Sequence, residues 1–128
     1  MIVDSSALLA ILLNESEASL YFESLQTAGA PLISAVNYVE VCAVVGDPRN
    51  VLVLRQFETL MARLNIAVEP VTLEQAAIAR DAYRDFGKGR HPAALNLADT
   101  FAYALAKAKD APLLFKGNDF SRTDVKRA

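Results

Sequence analysis

The chain has one cysteine and one histidine among its 128 residues, and these two scarcities exclude whole classes of chemistry. Cys42 stands alone among valines and alanines, so it has no partner for an internal disulfide. A free thiol in an apolar stretch fits a reducing, cytoplasmic setting. One His and one Cys cannot complete a structural zinc site, so any bound metal must be held mainly by oxygen, the preference of Mg²⁺ and Mn²⁺. No apolar run approaches the roughly 20 residues that cross a bilayer, so no membrane role is expected. The opening Met1-Ile2-Val3-Asp4 has neither a basic start nor a small-residue cleavage site, and is not expected to be a signal peptide. A basic excess is missing too. The net charge of −2 is unusual for a nucleic-acid binder, yet setting four carboxylates aside for a metal site leaves the remainder at +2. Net charge therefore decides nothing.

What is present is ordinary in amount and informative in order. Apolar residues make up 53% and charged residues 22%, enough for a compact core and inconsistent with disorder. The five glycines and five prolines are scattered, without repeats or linkers, so one domain over residues 1–128 is expected. Ile2-Val3 reads as a short strand, and Ser5 to Leu13 as a helix. A second helical pattern runs from Asn14 to about Gly29, marked by Leu20, Phe22 and Leu25. Pro31-Leu32-Ile33 is a second strand, and Ser34 caps a helix reaching Val45. A break at Gly46-Asp47-Pro48 precedes an amphipathic segment from Val51 to Leu64. Ile66 to Val71 is a third strand, Thr72 opens a helix ending before Gly87, and residues 88–92 form a loop. Leu95 to Lys109 is helical, and Pro112 to Phe115 is a fourth strand. Short apolar strands alternating with longer helices predict an α/β fold with a parallel sheet. Ligands of such sheets collect at the carboxyl ends of the strands, where strand order reverses.

Four acids stand out against this frame. Asp4 directly follows the first strand, and Asp119 follows the fourth. Glu40 lies in Ser34–Val45, a helix apolar on nearly every side, and Asp99 lies among Leu95, Ala102 and Tyr103. Each has a bland alternative. Asp4 can cap the first helix, Asp119 can be a turn residue, and Glu40 or Asp99 can meet an arginine such as Arg80 or Arg90. Together they are harder to dismiss, because clustered carboxylates repel one another and require divalent metal. Two such ions bridged by carboxylates can activate water and stabilise the leaving oxygen of a phosphodiester. The residues alone lead to an acidic metal site and no further.

The segments that carry these acids resemble the motifs of the PIN-domain family. Met1-Ile2-Val3-Asp4-Ser5-Ser6-Ala7-Leu8 is similar to its strand-Asp-Ser start. Ile33 to Glu40 is similar to its second motif, Leu95 to Ala106 to its third, and Leu113 to Phe120 with Thr123-Asp124-Val125 to its fourth. The likeness covers essentially the whole chain and is closest to the VapC toxins that carry a Lys-Gly-Arg-His loop, here Lys88 to His91. The resemblance implies a three-layer α/β/α PIN-like domain with a short-stranded parallel sheet. It also implies a Mg²⁺- or Mn²⁺-dependent endoribonuclease, a homodimer, and inhibition by a VapB-type antitoxin. Asp4, Glu40 and Asp99 would be metal ligands, and Asp119 would complete the site, with Asp124 as its alternative.

Ser6 is expected to hydrogen-bond an Asp carboxylate. Lys88, Arg90 and His91 form the only compact basic cluster, and Lys116 stands near the site; RNA phosphates are their expected partners, against the plainer reading of a solvated loop. Met61, Leu54, Phe57 and Leu64 read as core or a subunit interface. Leu20, Tyr21 and Leu25 read as a groove for the antitoxin. Two other classes fall away: a receiver-type module needs adjacent acids after its first strand, and an Asp-x-Asp phosphatase fails on Ser6. The remaining rival is a catalytically silent PIN domain that binds RNA or protein.

Overall fold

The computed structural model describes residues 1–128. Four strands, β1 (Ile2–Val3), β2 (Leu32–Ser34), β3 (Ala67–Glu69) and β4 (Leu113–Leu114), alternate with six helices. These are α1 (Ser5–Leu12), α2 (Ala18–Ala28), α3 (Ala35–Val45), α4 (Leu52–Arg63), α5 (Leu73–Phe86) and α6 (Leu97–Ala108), and a 3₁₀ turn follows at Phe120–Arg122. All pairings are parallel and the strand order is β3-β2-β1-β4. The chain winds outward from β1 to β3 and then returns to the other side of β1, so strand order reverses between β1 and β4. Beyond β4, the Leu113 N–H donates to the Lys126 carbonyl and the Ala128 N–H to the Leu113 carbonyl.

Alternation along these short strands divides the core in two. Val3, Ile33 and Leu114 face one way and pack with Leu8, Leu25, Val41 and Phe57 of α1 to α4. Ile2, Leu113 and Phe115 face the other way, against Ala82 of α5 and Ala102, Leu105 and Ala106 of α6. The expected α/β/α layering and parallel sheet are therefore present.

The departures from expectation have local causes. The second helix begins at Ala18 rather than Asn14, because Asn14 takes a left-handed φ of 52° and turns the chain. The sixth begins at Leu97 rather than Leu95, since Asn96 caps it with its side chain. The amphipathic α4 is core rather than a free interface: Phe57 and Leu64 are buried, and Leu54 and Met61 pack against them. The groove expected on α2 is corrected in the same way. Tyr21 and Leu25 point into the core, and only Leu20, 63% exposed, remains outside.

A candidate acidic metal centre

Asp4 sits at the carboxyl end of β1 as the N-cap of α1. The capping role and the cluster role coincide in this residue. It is 2% exposed, and its Oδ2 accepts from the Ser6 N–H (3.0 Å) and the Ser6 hydroxyl (2.5 Å). Its Oδ1 faces the Asn37 amide, whose Nδ2 lies 3.4 Å away. Ser6 Oγ in turn accepts the Lys116 N–H at 3.0 Å, which ties the end of β4 to the start of α1. Ser6 thus contacts an Asp carboxylate as expected, and Lys116 reaches the site through its backbone.

Glu40 lies half-buried on α3 and accepts the Ser5 hydroxyl. Asp99 occupies the third position of α6, where a reciprocal pair of 2.8 Å bonds joins it to Asn96: each side chain accepts the other's backbone N–H. This capping box was not anticipated, because the helix was expected to begin two residues earlier. Asp119 is exposed and caps nothing; Gly117, at φ +91°, turns the chain just before it.

The proximity of these acids shows in their proton affinities. Burial pushes the Asp99 carboxyl up to about 7, against the Asn96 N–H, and the charges of Asp4, Glu40 and Asp119 raise it further. Burial likewise pushes Asp4 up to about 6, partly offset by Ser6 and reinforced by Glu40. None of the four takes part in an ion pair. The arginines weighed as partners do not meet the acids: Arg80 lies against Asp81 at 2.9 Å in an exposed contact, and Arg90 lies over the Tyr83 ring at 5.2 Å. Asp124 is held away from the cluster by the Tyr103 hydroxyl (2.6 Å) and Lys107 (2.9 Å), which corrects its role as alternative fourth acid.

The all-oxygen donor set and its uncompensated charge suit a hard divalent cation. No three of the carboxylates converge on one point at ligand distance; Asp4, Glu40 and Asp99 are each turned toward a neutral donor.

The expected basic residues divide. Lys88 and Arg90 are exposed. His91 is absorbed into its loop: Nδ1 accepts the Ala93 N–H at 3.0 Å, and the ring meets Phe86 edge-on. The Lys116 ammonium pairs with Glu15 and Glu17, so it does not extend the basic cluster as anticipated.

Two polar residues escaped the sequence reading. Ser5 orients Glu40, and Asn37 joins three elements. The fully buried Asn37 lies on α3 one turn before Glu40, and its Nδ2 donates to Ala98 carbonyl of α6 (3.2 Å) as well as facing Asp4. The signal was available, since a buried amide in an apolar helix raises the same question as Glu40. Asn37→Leu, nearly isosteric, strips both acceptors of their donor. It is expected to cost about 1–3 kcal/mol and to lower any activity that depends on Asp4 about 10–100-fold. A variant with unchanged melting and cleavage would show that Asn37 only fills space.

The comparisons with known proteins bear on the family and the fold. The PIN domain family model matches residues 1–126. Ribonuclease VapC28 of Mycobacterium tuberculosis is 46% identical over 129 aligned positions, covering 100% of this chain and 97% of its own. Ribonuclease VapC42 of the same species is 45% identical, covering 100% and 98%, and ribonuclease VapC30 is 39% identical, covering 98% and 95%. Among solved structures, a toxin–antitoxin complex from Klebsiella pneumoniae superposes with a TM-score of 0.70 over 96% of this chain and 92% of that one. At 17% identity that likeness concerns the fold.

Proposed function

The chain belongs to the PIN-domain family and to its VapC branch, and from that premise we propose that it is a metal-dependent endoribonuclease, the toxin of a toxin–antitoxin pair. The observation that supports this reading is that Asp4, ending the central strand, and Asp99 are buried or partly buried carboxylates that feel each other and Glu40, and none of these acids or Asp119 takes part in an ion pair. Those four residues would hold Mg²⁺ or Mn²⁺. The bound ion supplies activation of water and neutralisation of charge on the phosphodiester. Asp4, fixed by Ser6 and Asn37, would be the most rigid ligand. Asp99 and Glu40 would exchange their present donors for the ion.

Lys88 and Arg90 would contact RNA phosphates. Neutralising both should reduce the slope of log binding constant against log salt by about 1.4, since each contact on a single strand contributes roughly 0.7; an unchanged slope would remove them from the interface. The reading extends to one domain over the whole chain, a homodimer, a cytoplasmic location and a VapB-type antitoxin as partner. No helix is long and apolar enough to cross a membrane.

Cleavage of mixed cellular RNA by the purified protein, with Mg²⁺, with Mn²⁺ and with EDTA, tests the proposal. Metal-dependent cutting that EDTA abolishes is the expected result. A folded protein that binds RNA and cuts none with either metal would favour the silent PIN domain.

A further inference from the structure

A cavity of about 420 Å³ lies between α5 and α6, and none of the four acids lines it. Its floor is Ala76, Ala79 and Thr100, its walls include the rings of Tyr83 and Phe101, and its rim carries Arg80, Arg84 and Arg90. Leu97, 67% exposed, forms the lip nearest the acids. Leu97, Thr100 and Phe101 share the face of α6 that lines the groove, and Leu97 stands at the N-terminal end of the helix, the end that also carries Asp99. Resting on the ribonuclease reading, we propose that this groove is the bed of a single-stranded RNA segment on its way to the acids, with bases against Tyr83, Phe101 and Leu97 and phosphates against the three arginines.

Two features select this occupant. Aromatic faces flanked by guanidinium groups are how single strands are held without sequence readout, because every base has a face to stack and every linkage a charge. The arginines are available: Arg80 and Arg84 pair only with Asp81 and Asp85, in exposed contacts that contribute little and exchange readily for phosphate. Arg90 has no carboxylate partner and lies over the Tyr83 ring. Arg80 and Arg84 come from α5, outside the loop that the sequence marked as basic, and only the packing of α5 on α6 adds them to Arg90.

The test uses the full chain carrying Asp99→Asn, so that RNA stays intact, and an unstructured fluorescein-labelled oligoribonucleotide in EDTA. Arg80→Ala with Arg84→Ala should raise Kd about tenfold near 0.1 M salt and lower the salt slope by about 1.4. Phe101→Leu should weaken binding roughly tenfold with the slope unchanged. Arg49→Ala with Arg55→Ala removes the same charge from the far side of the sheet, and should change Kd less than twofold. Affinity and slope unmoved by the Arg80 and Arg84 changes would overturn the proposal. So would a wild-type dimer that the same changes split, by light scattering, without altering RNA affinity. If the wild-type protein cuts no RNA with Mg²⁺ or Mn²⁺ while the groove variants lose binding as described, the groove stands and the ribonuclease reading fails.

Discussion

Replacing Asp99 with Asn is expected to reduce RNA cleavage by well over a hundredfold and, in the same protein, to raise the metal-free melting temperature at pH 8. The two effects share one cause. At pH 8 the folded, metal-free site holds Asp99 ionised among the charges of Asp4, Glu40 and Asp119. An amide of the same shape removes a charge that burial disfavours first and those neighbours disfavour further, and it can still accept the Asn96 N–H, so the helix cap survives. After allowance for solvent screening of a partly exposed group, the gain is on the order of 1 kcal/mol, or about 4 °C. Loss of a direct ligand should exceed the roughly 10–100-fold that outer-shell changes cost. Calorimetry in EDTA and cleavage of total RNA in Mn²⁺ read the two arms. A variant that is inactive and also less stable would mean that Asp99 serves the helix cap rather than an ion.

The second large effect links pH to metal. Asp4 and Asp99 bind their protons more tightly in the folded protein, near 6 and 7, than the ordinary value of 3.8. Between about pH 4 and pH 7 the folded state therefore holds protons that the unfolded state has released. The contribution of these groups is complete below about pH 4, and it is lost as pH rises to about 7. Metal-free protein should melt several degrees lower at pH 8 than at pH 5. Millimolar Mg²⁺ or Mn²⁺ should recover that loss at pH 8, where the carboxylates are ionised, and do little at pH 5, where binding must first expel protons. A melting temperature flat from pH 5 to pH 8, with or without the ion, would contradict the site.

Much of this was legible before any coordinates. The layered fold is legible because short apolar runs, bounded by turn and cap residues, alternate with longer helical patterns along the whole chain. Asp4 and Asp119 were legible as residues following strands, and Glu40 as a charge in an apolar helix. Asp99 was marked for a reason the structure changes: it stands in the first turn of α6 as half of a capping box. What the sequence withheld depends on packing. Asn37 matters because α3 brings it beneath β1 and against α6. Lys116 looked free until Glu15 and Glu17 of the segment between α1 and α2 met it. The α5–α6 groove pools side chains from a helix, a loop and a second helix, and no window of sequence contains all of them.

The sheet order also sets a timetable. With β1 in the middle, its two hydrogen-bonding edges wait for β2 on one side and β4 on the other, and β4 is itself closed by Lys126 and Ala128. Asp4 leaves the ribosome 115 residues ahead of Asp119. At about 5–20 residues per second, that separates them by roughly 6–23 s. A nascent or prematurely terminated chain carries Asp4 without Asp119 and β1 without β4, so the sheet and the acidic cluster beside it can close only when synthesis is all but finished.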